Sequence, residues 1–144
     1  MSNILRKMYQ TVPTLETKGV VIQYDEGVEI TVARAGGANK KFAKVLTKLS
    51  KPHRRAIQTE TVPEGVEREL VLRTYAQTVV MGWKGITKDI ITGNDTDASE
   101  ELPCVEENIV AVFTALPDLF EDVAKMSQDI SLYRAEVLED DSKN

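Results

Sequence analysis

His53 is the only histidine and Cys104 the only cysteine in the chain, so the residues that could do chemistry are few. Nucleophilic catalysis of the triad kind needs a base beside the nucleophile, usually histidine. His53 lies in Lys51-Pro52-His53-Arg54-Arg55, with no partner acid near it in sequence, and reads as a loop or surface residue. A single cysteine excludes an intrachain disulfide and any multi-cysteine zinc site. Asp95, Asp97, Ser99 and Glu106 fall at the first, third, fifth and twelfth positions of an EF-hand-like loop. The sixth position needs glycine for its sharp turn and is Glu100, and the ninth is Pro103, so a solvated acidic loop is the expectation. Gly36-Gly37-Ala38-Asn39-Lys40 is too short for a phosphate loop of the GxxxxGK[ST] kind; a strand-to-helix turn accounts for both glycines. No catalytic residues, cofactor or metal are expected, and the chain reads as a binding protein rather than an enzyme.

Charge is the strongest remaining signal. The net charge is −5, yet residues through Val62 carry 11 bases against 5 acids, and those from Pro63 onward carry 7 against 18. No acid occurs between Glu29 and Glu60, whereas Arg34, Lys40, Lys41, Lys44, Lys48, Lys51, Arg54 and Arg55 do. Such a segment can track phosphates. No recognition-helix or RRM pattern accompanies it, aromatics are 6%, and the rest of the chain is acidic, which together argue against nucleic acid. Neutralisation by the chain's own acidic half, or by an acidic partner, is the expectation.

The elements that would position these residues are legible from their periods. A chain of 144 residues suffices for one domain, burying about 70% of its unfolded surface, and 1–144 is expected to be a single one. Residues 1–17 read as an extended arm. β-branched runs at Gly19–Tyr24 and Val28–Ala33 flank Asp25-Glu26-Gly27, a hairpin signal. Phe42, Val45, Leu46 and Leu49 recur at helical spacing, with Lys41, Lys44, Lys48 and Lys51 on another face, until Pro52 stops the helix. Thr61-Val62-Pro63-Glu64 fits a capping box, predicting a second helix to about Gly82 with Trp83 at its end. A third helix opens at Cys104-Val105-Glu106-Glu107, and a fourth at Pro117 carries Leu119, Val123, Met126, Ile130, Tyr133 and Val137 in one stripe. Residues 139–144 are expected to form a flexible acidic tail. The fold class is therefore α+β and mostly α, an N-terminal β-hairpin packed on about four helices. No apolar run reaches the roughly 20 residues of a membrane span and no signal-peptide core is present, so a cytoplasmic location is expected.

Two stretches carry a resemblance. One is Lys18-Gly19-Val20-Val21-Ile22-Gln23-Tyr24-Asp25-Glu26-Gly27 with Ile30 through Phe42. The other is Tyr75-Ala76-Gln77-Thr78-Val79-Val80-Met81-Gly82-Trp83-Lys84-Gly85, an acidic loop, Glu107-Asn108-Ile109, Leu116-Pro117-Asp118-Leu119-Phe120 and Tyr133-Arg134-Ala135-Glu136. In order and spacing these resemble the tail assembly chaperone family of long-tailed, siphovirus-type bacteriophages, over roughly residues 18–136. The loop between Gly85 and Cys104 is longer and less Gly-Lys-rich than the family pattern, and Cys104 stands where serine is expected.

The resemblance implies a non-enzymatic role in the host cytoplasm. Such chaperones bind the long helical tape-measure protein, keep its apolar surface from aggregating, help recruit tail-tube subunits, and leave before the virion matures. In the best-known members a ribosomal frameshift also produces a longer form. On this reading Trp83, Leu119, Val123, Met126, Ile130, Tyr133 and Val137 form the contact surface. Lys41, Lys44 and Lys48 add charge attraction to acidic helix faces or to a neighbouring copy in self-association. The competing readings are a structural tail or neck protein of the virion, and a small nucleic-acid-binding protein using the basic 34–55 segment.

Overall fold

A computed structural model describes residues 3–135 of the chain. Val20–Asp25 (β1) and Val28–Val32 (β2) pair antiparallel, Val20 opposite Val32 and Ile22 opposite Ile30. The predicted hairpin is thus observed, and its alternation puts Val20, Ile30 and Val32 into the core while Val21 faces out.

The sheet has a third strand. The second helix was expected to run to about Gly82; it ends at Thr78, and Val80–Lys84 (β3) joins the free edge of β2, giving the order β1-β2-β3. Consecutive β-branched Val79-Val80 and then Gly82 are poor helix formers, and the open backbone groups of β2 offer them hydrogen bonds. The pairing runs Glu29 to Lys84, Ile30 to Trp83 and Thr31 to Gly82, then jumps to Val32 with Val80. Met81 is the extra residue of that bulge, and its side chain is exposed.

The N-terminal segment also departs from expectation. In place of an extended arm it forms two helices, Ile4–Tyr9 (α1) and Pro13–Lys18 (α2). Asn3 accepts from the Leu5 N–H at 2.9 Å as an N-cap, and Pro13 sits in the first turn of α2. These cues are local and too short to show a period.

The first predicted amphipathic helix is Lys41–Ser50 (α3). Pro52 then forces a 3-10 turn at Lys51–His53 before a short helix, Arg54–Gln58 (α4). The Thr61 capping box does not form. The Thr61 hydroxyl lies 2.8 Å from that of Thr59 and its N–H donates to the Ala56 carbonyl, so the next helix, Val66–Thr78 (α5), starts after Gly65 at φ 90°. Asp89–Thr92 (α6) interrupts the expected polar connection. Glu106–Ala115 (α7) is capped by Val105 without a side-chain hydrogen bond, so Cys104 is not the cap.

Pro117–Gln128 (α8) is shorter than the stripe to Val137 suggested. Asp129 accepts from both the N–H and the hydroxyl of Ser131, at 3.0 and 2.6 Å, an Asx turn that competes with the helix. Ile130–Tyr133 then form a 3-10 turn. Val137 and the expected tail at 139–144 lie outside the described residues.

α5 is the central helix, packed between α3 and α7, and the helices cover one face of the sheet. The core joins Ile30 and Val32 to Leu72, Val79, Ile109, Val112 and Val123. An edge-to-face chain of Phe42, Tyr75 and Phe120, with ring centroids 5.4 and 5.1 Å apart, links α3, α5 and α8. The fold is α+β, mostly α, as the periodicities predict. No helix among the described residues is long and apolar enough to cross a membrane.

Candidate functional site

The Leu119–Tyr133 stripe points inward. Val123 and Tyr133 are 0% exposed, and Leu119 packs against the core half-buried. The Tyr133 hydroxyl donates to the Val32 carbonyl at 3.1 Å, fastening the end of the described chain to the sheet, and burial pushes the phenol's pKa up. Met126 and Ile130 are half-buried. Apolar residues at helical spacing satisfy a core as well as an interface, and here the core takes Val123 and Tyr133. Trp83 is half-buried too: its indole N–H donates to the Leu102 carbonyl at 2.8 Å, tying the long connection to β3.

Lys41, Lys44 and Lys48 are placed differently. α3 buries no residue completely; Phe42, Val45, Leu46 and Leu49 rest half-buried, Phe42 against the core, while the three lysines stand in solvent. The four ion pairs among the described residues are Arg34–Glu16, Arg73–Glu106, Lys84–Glu29 and Lys88–Glu100. None uses a lysine of α3, nor Lys51, Arg54 or Arg55. Among the described residues the expected neutralisation by the acidic half of the same chain therefore does not take the form of ion pairs to α3, and local partners claim several of those acids.

Two hollows flank this basic helix. One, of about 360 Å³, lies between the end of α3 and α4, with Leu46 and the exposed Ile57 beside Lys51 and Arg54. The other, of about 290 Å³, lies at the start of α3, with Lys40, Lys41 and Lys44 facing Gln77 and the bulged Met81. The surface thus alternates cations with exposed apolar side chains.

A buried carboxylate sets where α3 begins. Glu16 on α2 is 2% exposed and accepts from the Thr11 hydroxyl at 2.6 Å, Arg34 at 2.5 Å and the Ala38 N–H at 2.8 Å. Burial works to raise its pKa, but the three donors and the Arg34 charge hold the carboxyl below its ordinary value. Asn39, also buried, donates to the carbonyls of Arg34 and Thr78, both at 2.8 Å. Gly37 at φ 56° has no room for a side chain, since a Cβ there would come within 2.6 Å of the Arg34 guanidinium. The Gly36-Gly37 turn therefore presents the Ala38 amide to a carboxylate of its own chain rather than to a phosphate. Glu16 was missed in the sequence because its three donors come from separate segments.

The other sequence candidates do not converge. Glu106 turns to Arg73 and Gln77, at 3.1 and 3.0 Å, which lower its pKa, while Asp97 accepts from Thr92. Among the described residues no cluster of three or more histidine, cysteine or acidic groups could hold a metal. Cys104 is half-buried against the core, and burial pushes its thiol up, away from reactivity.

A family model described as YdaY prophage protein matches residues 37–144, from the glycine turn through the end of the chain. No match is found among curated proteins or among solved structures.

Proposed function

We propose, for a chain that belongs to the YdaY prophage protein family, the role of a non-enzymatic tail assembly chaperone that binds the tape-measure protein and supports tail-tube assembly. One observation carries the reading. Among the described residues the most basic helix has no ion-pair partner, and it lies between two hollows edged by exposed Ile57 and Met81. A tape-measure protein is a long chain of amphipathic helices that self-associates when bare. A surface of alternating cations and apolar spots suits a helix with an apolar stripe flanked by acids.

Lys41, Lys44 and Lys48 then supply attraction, and Met81, Ile57 and Leu46 supply apolar contact. Trp83 and the half-buried Met126 and Ile130 contribute through their exposed edges. Modest affinity per copy is what a reversible cover needs, with many copies along one client giving avidity. Its place of action is the host cytoplasm, and it leaves before the virion matures.

The test is co-expression with the tape-measure protein encoded nearby. The chaperone reading expects a soluble complex and absence of the chain from purified virions. Stoichiometric presence in the particle makes it a structural tail or neck protein instead. The same eight bases favour a second reading, nucleic acid, which requires a gel shift at low salt that collapses as salt rises.

A further inference from the structure

Among the described residues α1 is the one element whose every residue is exposed. Ile4, Leu5, Met8 and Tyr9 fall on one face, by the i, i+4 spacing of 4 with 8 and 5 with 9, and stand 62, 60, 41 and 60% exposed. Arg6 and Lys7 occupy the opposite side. An isolated helix of six residues is unstable in water, and scattered exposed apolar residues are ordinary whereas four on one short helix form a patch. The helix is also tethered. Gln10 alone separates it from Thr11, which bridges Arg134, and the Val12 N–H donates to the Tyr133 carbonyl at 2.7 Å. Among the described residues of its own copy, nothing buries this face.

The chain also carries a candidate receptor. Between α5 and α7 runs an open groove of about 560 Å³ lined by Val105, 45% exposed, and Val110 together with Glu69, Glu106 and Glu107. Arg73 also lines it but is already paired with Glu106. A groove this open offers a surface for apolar side chains rather than an enclosed cavity. Its charge is opposite to that of α1.

We propose that α1 of one copy docks in the α5–α7 groove of a second copy, its Ile4/Leu5/Met8/Tyr9 face on Val105 and Val110 and its Arg6 and Lys7 toward Glu69 and Glu107. Reciprocal exchange closes at a dimer, and one-way docking builds an open chain. This contact does not involve the lysine face of α3 and stands independently of the chaperone reading.

Sedimentation velocity of the full chain over a range of concentrations tests it. The wild-type chain associates, and more weakly as salt rises. Leu5→Asp with Met8→Asp weakens association about a hundredfold or more while far-UV circular dichroism and the cooperative melt persist, because both side chains are exposed and lie outside the core of their own copy. Arg6→Glu with Lys7→Glu, and separately Glu69→Lys with Glu107→Lys, each give monomers by like-charge repulsion. A one-to-one mixture of these two variants associates again, since each reversed helix then meets an opposite groove. A wild-type chain that is monomeric at every concentration overturns the proposal, as does association that survives the Leu5/Met8 change or a mixture that stays monomeric.

Discussion

α3 and α8 carry two of the most regular apolar stripes in the chain, and the fold treats them unequally. α8 sets Phe120, Val123 and Ser127 fully into the core against α7 and β2. α3 rests chiefly on α5 and buries no residue completely. Both helices look amphipathic from their spacing, but period reports only which face turns inward, not how deeply or against how many neighbours. The Leu119–Tyr133 stripe, whose spacing fits a core as well as a seam, sends Val123 and Tyr133 into the core, while α3 keeps its lysines in solvent and unpaired among the described residues.

The sharpest way to break this contrast is to put a charge into each helix in turn. Val123→Asp places a carboxylate at a site with no exposure, within the apolar core. It is expected to cost more than about 4 kcal/mol, so a thermal melt followed by circular dichroism loses its cooperative transition. A variant that folds normally and only loses its partner would return the stripe to the interface.

Glu16→Gln comes next and acts on the anchoring of α3. It leaves Arg34 without its partner in a mostly buried setting and weakens the hold on the Ala38 amide. A loss of about 3 kcal/mol at neutral pH is expected in urea unfolding. The sign with pH follows from the lowered pKa. The stabilisation is fully present above the unfolded value, ordinarily 4.5, and is lost as pH falls through the lower folded value. The gap between variant and wild type should therefore narrow below about pH 4.5; a gap that is constant with pH would show that the ionised form is not what matters.

Tyr133→Phe removes one buried hydrogen bond to Val32 while keeping the ring. About 1 kcal/mol should be lost in the same assay, small beside Val123→Asp because packing rather than the hydroxyl holds this end. The smallest effect on stability belongs to Lys41→Glu, Lys44→Glu and Lys48→Glu together, within about 0.5 kcal/mol per site, since all three are exposed and none is paired among the described residues.

The hairpin, α3, the break at Pro52 and the start of α8 at Pro117 were legible because a β-branched run, a helical period or a proline announces each within a few residues. β3 was not, because Val79-Val80-Met81-Gly82-Trp83 continues an apolar helical pattern and becomes a strand only when β2 offers an edge. The two N-terminal helices were too short to show a period. At the candidate site the lysine stripe was readable from composition, whereas the flanking hollows depend on how α4 folds back after Pro52 and on the bulge at Met81. The inward fate of Val123 and Tyr133 depends on the sheet, which is remote in sequence.

The central claim is that the lysine face of α3 holds an acidic amphipathic helical client. The most direct measurement is the soluble fraction of the tape-measure protein co-expressed with the wild-type chain or with the Lys41/Lys44/Lys48→Glu variant, after circular dichroism has established that both are folded. The account predicts that the wild-type chain keeps the client in solution and the variant lets it precipitate. A client that precipitates with both, or stays dissolved with both, would contradict it.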